Sequence, residues 1–160
     1  MKGKKTEDVL ATVEEFAKSD YGVDVFKLES PVNASDADGS AEVQQVFDEM
    51  GRLAGRPWVM LSAGAGKPEF RKVLEHAFKA GASGFLAGRA IWLDAFQAYP
   101  DWEKIRSGLE GGALDYMADI CNLADESAAN WAAHPCFGED GAVFHPPSAE
   151  FRHAYADFGD

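Results

Sequence analysis

The sequence predicts an α/β fold in which short parallel strands alternate with helices. Three apolar runs, at residues 23–28, 58–62 and 84–88, are punctuated by Gly, Ser or Pro, as β-strands commonly are. Stretches with apolar residues at helical spacing separate these runs and are long enough to be crossover helices. Because such crossovers join parallel strands and are right-handed, the carboxyl ends of the three strands are expected at one edge of one sheet.

Composition narrows the choice of partners and of compartment. The chain has 160 residues, 46% of them hydrophobic, which is enough for one globular domain with a core. Its formal net charge of −12 argues against a nucleic-acid partner, which requires clustered Lys and Arg. The charged start and the two cysteines give no sign of a signal peptide or a membrane span, so a cytoplasmic protein without membrane contact is expected.

The first two helices are predicted from their caps. Thr6 is a plausible N-cap for a first helix that runs to Ser19. A polar loop at residues 33–39 follows the first strand, and Ser40 then caps a second helix that Gly55 ends.

The later helices follow the same pattern. A third helix is predicted from Lys67 to just before Gly81, with His76 facing away from the core, and a fourth spans residues 89–96. Asp101 caps a short helix.

Gly112 is expected to break the chain before a long helix at residues 113–133. The glycines and prolines beyond that helix predict a domain at residues 1–134 and an irregular aromatic tail at 135–160, which packs on the domain or on a partner.

Lys27 is the first candidate for chemistry, because it lies near the end of the first strand. Strand alternation places Val25, Lys27 and Glu29 on one face and Phe26 and Leu28 on the other. If both faces are covered, burial favours the neutral amine, which can attack a carbonyl carbon. A strand-end lysine whose ammonium extends into solvent is the more common case.

The loop after the second strand is not a nucleotide-binding P-loop. That motif requires a glycine where this chain has Leu61, and a Ser or Thr where it has Pro68. No spacing typical of metal ligands is present either, so neither a metal nor a cofactor is expected.

An anion site is a better prediction for these strand ends. Ser62 and Gly64 follow the second strand, and Gly88 and Arg89 follow the third. Backbone N–H groups, a hydroxyl and a guanidinium at neighbouring strand ends can bind a phosphate together. Turn glycines beside a surface arginine are the alternative interpretation.

Three motifs resemble, in order, the active-site strands of the class I tagatose-bisphosphate aldolases. They are DVFKLESPVN at residues 24–33, WVMLSAG at 58–64 and GASGFLAGRAIW at 81–92. The first motif is also similar to that of the related sulfofructose-phosphate aldolases. The resemblance implies the last three strands of a (β/α)8 TIM barrel, with their helices, over about residues 6–92.

By this resemblance the chain is a carbon–carbon lyase of carbohydrate metabolism that needs no cofactor. Lys27 would form the Schiff base with a phosphorylated ketose, such as tagatose or fructose bisphosphate, or with a sulfonated analogue. The substrate- and anion-binding residues implied are Ser62, Gly64, Leu86, Gly88 and Arg89.

The family's other five strands have no counterpart in the sequence, and they carry its acid/base glutamate and a second lysine. Glu29 shares a face with Lys27 but does not occupy the family's glutamate position. We therefore expect Glu29 to be a structural or orienting carboxylate. Either the chain is part of a longer enzyme or it self-associates as a homo-oligomer. A non-catalytic fragment or interaction module is the alternative function.

The missing strands would leave one face of the sheet uncovered. An exposed apolar face formed by Val23, Val25, Met60 and Leu86 is therefore expected.

Overall fold

The computed structural model describes residues 3–144. Within that range one parallel sheet contains β1 (Phe26–Leu28), β2 (Trp58–Leu61) and β3 (Gly84–Leu86), in this spatial order. The pairing aligns Lys27 with Val59, and Val59 with Gly84. The predicted α/β class, with parallel strands in sequence order, is confirmed, although each strand is shorter than the apolar run that predicted it.

Helices connect and flank the strands as the crossovers require. The α-helices of the described residues are α1 (Lys4–Phe16), α2 (Ala41–Ala54), α3 (Lys67–Lys79), α4 (Arg89–Phe96), α5 (Trp102–Gly108) and α6 (Leu114–Ser127). Because α2 links β1 to β2 and α3 links β2 to β3, every strand runs in the same direction. None of these helices combines the length and the apolar character needed to cross a membrane.

The core lies on the helix-facing side of the sheet. Phe26, Leu28, Trp58 and Met60 are buried there. The helices contribute Val9, Leu10, Val13, Phe47, Met50, Phe70, Val73, Leu74 and Ala77 to the same cluster. Burying one large apolar side chain stabilises a fold by roughly 1.5–3 kcal/mol, so this cluster holds the helices on the sheet.

The opposite face of the sheet is open, but its membership differs from the prediction. Val25 is 53% and Leu86 46% exposed, as expected, whereas Met60 is fully buried. Met60 pairs with Leu28 across the sheet and therefore shares the helix-facing side, so its assignment to the open face is wrong. Val59 and Leu61 take the alternate positions of β2 and are only partly buried.

Helix α1 begins earlier than predicted. Its N-cap is Gly3, and Thr6 lies inside the first turn, where it is buried. The Thr6 hydroxyl donates to the carbonyl oxygen of Pro31 at 2.9 Å instead of capping the helix. This bond joins residues 25 positions apart and has no local signature in the sequence.

Gly112 does not break the chain. A π-helical turn, Leu109–Ala113, continues directly into α6, and Lys67 Nζ donates to the carbonyl oxygen of Gly112 at 3.4 Å. The long helix predicted to reach residue 133 ends at Ser127. The chain then makes short 3-10 turns at Trp131–Ala133 and Pro135–Phe137.

His76 faces the core, so the prediction that it faces away is wrong. Its side chain is buried, stacks on the Phe47 ring and pairs through Nδ1 with Gln44 Oε1 at 2.8 Å. Burial lowers the pKa of His76 below its usual value, because the charged ring loses hydration.

The beginning of the predicted tail packs on the residues just before it. The backbone N–H of Ala142 donates to the carbonyl oxygen of Ala132 at 2.8 Å, and the Trp131 ring contacts the rings of Phe137 and Phe144. The rest of the predicted tail, from residue 145, lies outside the described residues. The domain boundary at residue 134 stays a prediction.

Candidate active site

Lys27 projects from the open face of the sheet. It lies between the buried residues Phe26 and Leu28 in β1, and its own side chain is exposed. Leu86, which shares this face, is 46% exposed. Only the helix-facing side of the sheet is buried, so the described residues do not provide the dry pocket that a desolvated amine requires.

Lys27 is one of the residues that line a cavity of about 270 Å³ at β1 and α1. Asp8 and Thr12 of α1, together with Glu29 and Leu61, contribute to its walls. Within residues 3–144 no hydrogen bond or ion pair engages the Lys27 amine. Asp8 and Glu29 therefore line the same cavity as Lys27, whose amine is unengaged within the described residues.

The loop after β2 turns sharply at two successive left-handed residues. Ala63 has φ 49° and Gly64 has φ 81°. A left-handed conformation costs a residue with a Cβ roughly 1–2 kcal/mol, and such strain is common at functional sites. Ser62 anchors the loop, because its N–H donates to the carbonyl oxygen of Leu86 at 3.1 Å and its carbonyl accepts from Ala65 at 2.9 Å.

Arg89 and Gly64 meet at the carboxyl edge of the sheet. A Cβ atom on Gly64 would lie 3.3 Å from Nη2 of Arg89, so the guanidinium rests directly on the glycine. Arg89 is the first residue of α4, and Gly88 precedes it as the N-cap. A Cβ on Gly88 would lie 3.5 Å from the indole nitrogen of Trp92, one turn along α4.

The structure therefore brings the predicted anion-site residues of β2 and β3 to one edge and leaves Lys27 at a distance from them. Lys27 lies on β1 and Arg89 follows β3, with β2 between them. Neighbouring strands are about 4.8 Å apart, so the backbones of β1 and β3 are about 10 Å apart across the sheet.

Lys5 lies at the same edge and was not selected from the sequence. It is half-buried in the first turn of α1, and its Nζ donates to the carbonyl oxygen of Val32 at 3.3 Å and lies 3.8 Å from Glu29 Oε2. In a β-α-β crossover the helix begins near the carboxyl ends of the strands, so Lys5 could have been assigned to this edge from the predicted topology.

Lys67, which follows the same loop, is occupied by structural contacts. Its Nζ lies 3.4 Å from Asp94 Oδ2 and 5.7 Å from the centre of the Tyr116 ring. The Tyr116 hydroxyl donates to the carbonyl oxygen of Lys67 at 2.8 Å, and burial raises the pKa of Tyr116 to about 12. Lys67 thus fastens α3 to α4 and α6, which agrees with the rejection of a P-loop lysine.

Metal ligation has no support in the part of the chain that the structure describes. Residues 3–144 contain no group of three or more His, Cys, Asp or Glu side chains arranged to hold a metal ion.

Comparison with known families identifies the class of protein to which this site belongs. The family model of the DeoC/LacD family aldolases matches residues 1–94, which include Lys27, the Ser62–Gly64 loop and Arg89. The chain belongs to the DeoC/LacD aldolase family.

Several curated relatives of this chain are tagatose 1,6-diphosphate aldolases. The tagatose 1,6-diphosphate aldolase of Listeria monocytogenes serotype 4a (strain HCC23) is 34% identical over 140 residues, covering 79% of this chain and 41% of the relative. Tagatose 1,6-diphosphate aldolase 1 of Enterococcus faecalis (strain ATCC 700802 / V583) is 37% identical over 100 residues, or 56% of this chain and 31% of the relative. The enzyme of Staphylococcus aureus (strain JH9) is 30% identical over 129 residues, or 72% and 40%.

These relatives confirm the resemblance of the chain to tagatose-bisphosphate aldolases. The chain spans about two fifths of the length of the first curated relatives it matches.

Proposed function

We propose that this chain carries the Schiff-base lysine and an anion site of a class I aldolase. Its substrate is a phosphorylated ketose such as tagatose or fructose bisphosphate, with a sulfonated analogue as the alternative, and the fold is the last part of a TIM barrel. The observation that carries the proposal is an unengaged amine, Lys27, on the open face of a parallel sheet whose neighbouring carboxyl edge holds Arg89 against Gly64. Lys27 lies on β1 and Arg89 follows β3, two strands whose backbones are about 10 Å apart, and this arrangement suits a ligand whose carbonyl and phosphate are at different positions.

Lys27 supplies the nucleophile in this mechanism. Its neutral amine attacks the C2 carbonyl carbon, and the carbinolamine that forms takes up a proton and loses water to give a protonated imine. The imine accepts the electron pair of the C3–C4 bond as that bond breaks, while the C4 hydroxyl proton passes to a base and the aldehyde leaves. The remaining enamine takes up a proton at C3, and hydrolysis of the imine releases the ketone and restores the amine.

The residues at the β2 and β3 edge hold the anionic group of the substrate. Arg89 and the backbone at Gly88 and Gly64 donate to its oxygens, and Ser62 adds a hydroxyl. Leu86 lines the pocket between this site and Lys27. Fixing one end of the ketose in this way presents its carbonyl carbon to the amine.

A non-catalytic fragment or interaction module is the second candidate. It is favoured by the exposure of Lys27, Val25 and Leu86, because an amine in contact with water lacks the environment that favours its neutral form. In an interaction module this face would cover a partner or a second copy. A retro-aldol assay distinguishes the candidates, because an interaction module shows no turnover. Light scattering on the same sample shows whether the protein is then a monomer or self-associated.

Reductive trapping tests the proposal directly. The protein is incubated with dihydroxyacetone phosphate and borohydride, and the intact mass is measured. The wild-type chain is expected to gain one adduct, and Lys27→Arg none, because guanidinium is not a usable nucleophile near neutral pH. Lys72→Arg, an exposed position on α3, is the matched control and should trap normally. Equal trapping by wild type and Lys27→Arg would contradict the proposal.

A further inference from the structure

A second cavity, of about 230 Å³, lies beside the loop that follows β2. Phe70 and Val73 of α3 form an apolar part of its wall. The rest of its wall comes from Lys5 of α1, from Ser30 and Asn33 after β1, from the end of β2, and from Ser62 and Gly64 in the loop after β2. A cavity with an apolar wall and a few convergent polar groups is typical of a small-ligand site.

Ser62 has a hydroxyl that the fold does not use. The residue is 7% exposed, and within the described residues its hydroxyl has no hydrogen-bond partner. Ser30 in the same cavity differs, since its hydroxyl donates to the carbonyl oxygen of Val32 at 2.7 Å. Among the described residues the fully buried side-chain oxygen without a partner is that of Ser83, so the Ser62 hydroxyl keeps some access, and a ligand atom in the cavity that Ser62 lines can bond to it.

Lys5 adds a cation with spare hydrogen-bonding capacity. An ammonium has three N–H donors, and Lys5 uses one of them on Val32 at 3.3 Å. Glu29 Oε2 lies 3.8 Å away, beyond hydrogen-bond distance. Because the side chain is half-buried, an oxyanion beside it is less screened by water than one at an exposed lysine.

Two cations therefore flank one loop. Lys5 lines the same cavity as Ser62 and Gly64, and the Arg89 guanidinium, which does not line that cavity, lies against Gly64 on the side where a Cβ atom would be. We propose that Lys5 is the second cation of the anion site, and that with Ser62 it binds an oxyanion of the phosphate class. This inference rests on the proposed function and adds to it a binding residue on α1.

Titration with inorganic phosphate, followed by ³¹P NMR at low ionic strength, tests the inference. Lys5→Gln should weaken phosphate binding roughly three- to tenfold, because one charge-assisted bond is lost from a half-exposed site. Lys4→Gln is the matched control: it removes the same charge from the adjacent, exposed residue and should leave the affinity unchanged. Arg89→Gln should weaken binding by a similar factor.

Two further variants separate ligand binding from support of the loop. Lys5→Arg keeps the positive charge and should retain most of the affinity. Glu29→Gln removes the carboxylate that competes with phosphate for Lys5, so affinity should be unchanged or rise. If the role of Lys5 were only to hold Glu29 and the segment after β1, Glu29→Gln would weaken binding as Lys5→Gln does, and that result would overturn the inference.

The outcomes for the inference and for the proposed function can be told apart. Phosphate affinity equal in wild type and Lys5→Gln, with normal trapping at Lys27, overturns the role of Lys5 and leaves the Schiff-base proposal standing. Phosphate binding that is weaker in Lys5→Gln but unchanged in Lys4→Gln supports the inference. No phosphate binding by the wild type overturns it, whatever the trapping result.

Discussion

Gly64→Ala should damage both the loop after β2 and the anion site. Gly64 has φ 81°, a left-handed conformation that favours glycine. The new Cβ would lie 3.3 Å from Arg89 Nη2, so the guanidinium must move by a few tenths of an ångström. Backbone strain lowers stability, and displacement of Arg89 lowers the affinity for phosphate.

The two effects can be sized separately with a control glycine. Gly22 has φ 59° and no heavy atom within 4 Å of an added Cβ, so Gly22→Ala carries the backbone strain alone. Each variant is expected to lose about 1–2 kcal/mol of unfolding free energy. Only Gly64→Ala should also lose phosphate affinity, about three- to tenfold, which corresponds to about 0.7–1.4 kcal/mol.

Urea denaturation followed by circular dichroism gives the stabilities, and phosphate titration gives the affinities. Equal phosphate affinity in wild type and Gly64→Ala, with stability lowered as in Gly22→Ala, would contradict this prediction. The contact between Arg89 and Gly64 would then have no part in anion binding.

Substitutions at three other residues give further tests. Ala63 has φ 49°, so Ala63→Gly should relieve backbone strain and raise the unfolding free energy by about 0.5–1 kcal/mol, seen as a higher urea midpoint. A lower midpoint would show that the turn is unstrained. Thr6→Val should cost about 1–3 kcal/mol because the Pro31 carbonyl loses its donor, while Thr6→Ser keeps most of the stability. Burial lowers the pKa of His76 from 6.5, so the unfolded chain binds that proton first and stability falls as pH decreases below about 6.5. His76→Gln should flatten this fall in pH-dependent unfolding, and an unchanged slope would contradict it.

Local signals in the sequence were sufficient for most helix boundaries. The Ser40 side chain accepts from the N–H of Val43, Asp101 accepts from Lys104, and Gly55 ends α2 with φ 57°. Each of these features depends on residues within a few positions of one another, so composition and spacing reveal them. The order and direction of the strands followed from the crossover lengths.

Contacts between distant residues explain what the sequence did not reveal. Thr6 lies inside α1 because its partner is Pro31, and His76 turns inward because Gln44 pairs with it from α2. Gly112 stays helical because a π-helical turn absorbs the two glycines and Lys67 donates to its carbonyl. None of these partners is within reach of a local pattern.

In the candidate site, too, local sequence signals and contacts between distant residues contributed different parts. Residue types and order were enough to select Lys27 and the anion-site residues after β2 and β3. The contact of Arg89 with Gly64 and the position of Lys5 depend on how the loops and α1 fold over the sheet. The burial expected for Lys27 required a covered second face, which residues 3–144 do not supply.

Peptide mapping of the borohydride-reduced adduct is the most direct test of the central claim. The protein is reduced in the presence of dihydroxyacetone phosphate and digested, and the modified lysine is located by fragment mass. One adduct is predicted, on Lys27, the unengaged amine on the open face of the sheet. An adduct on Lys5 or on another lysine, with Lys27 unmodified, would contradict it.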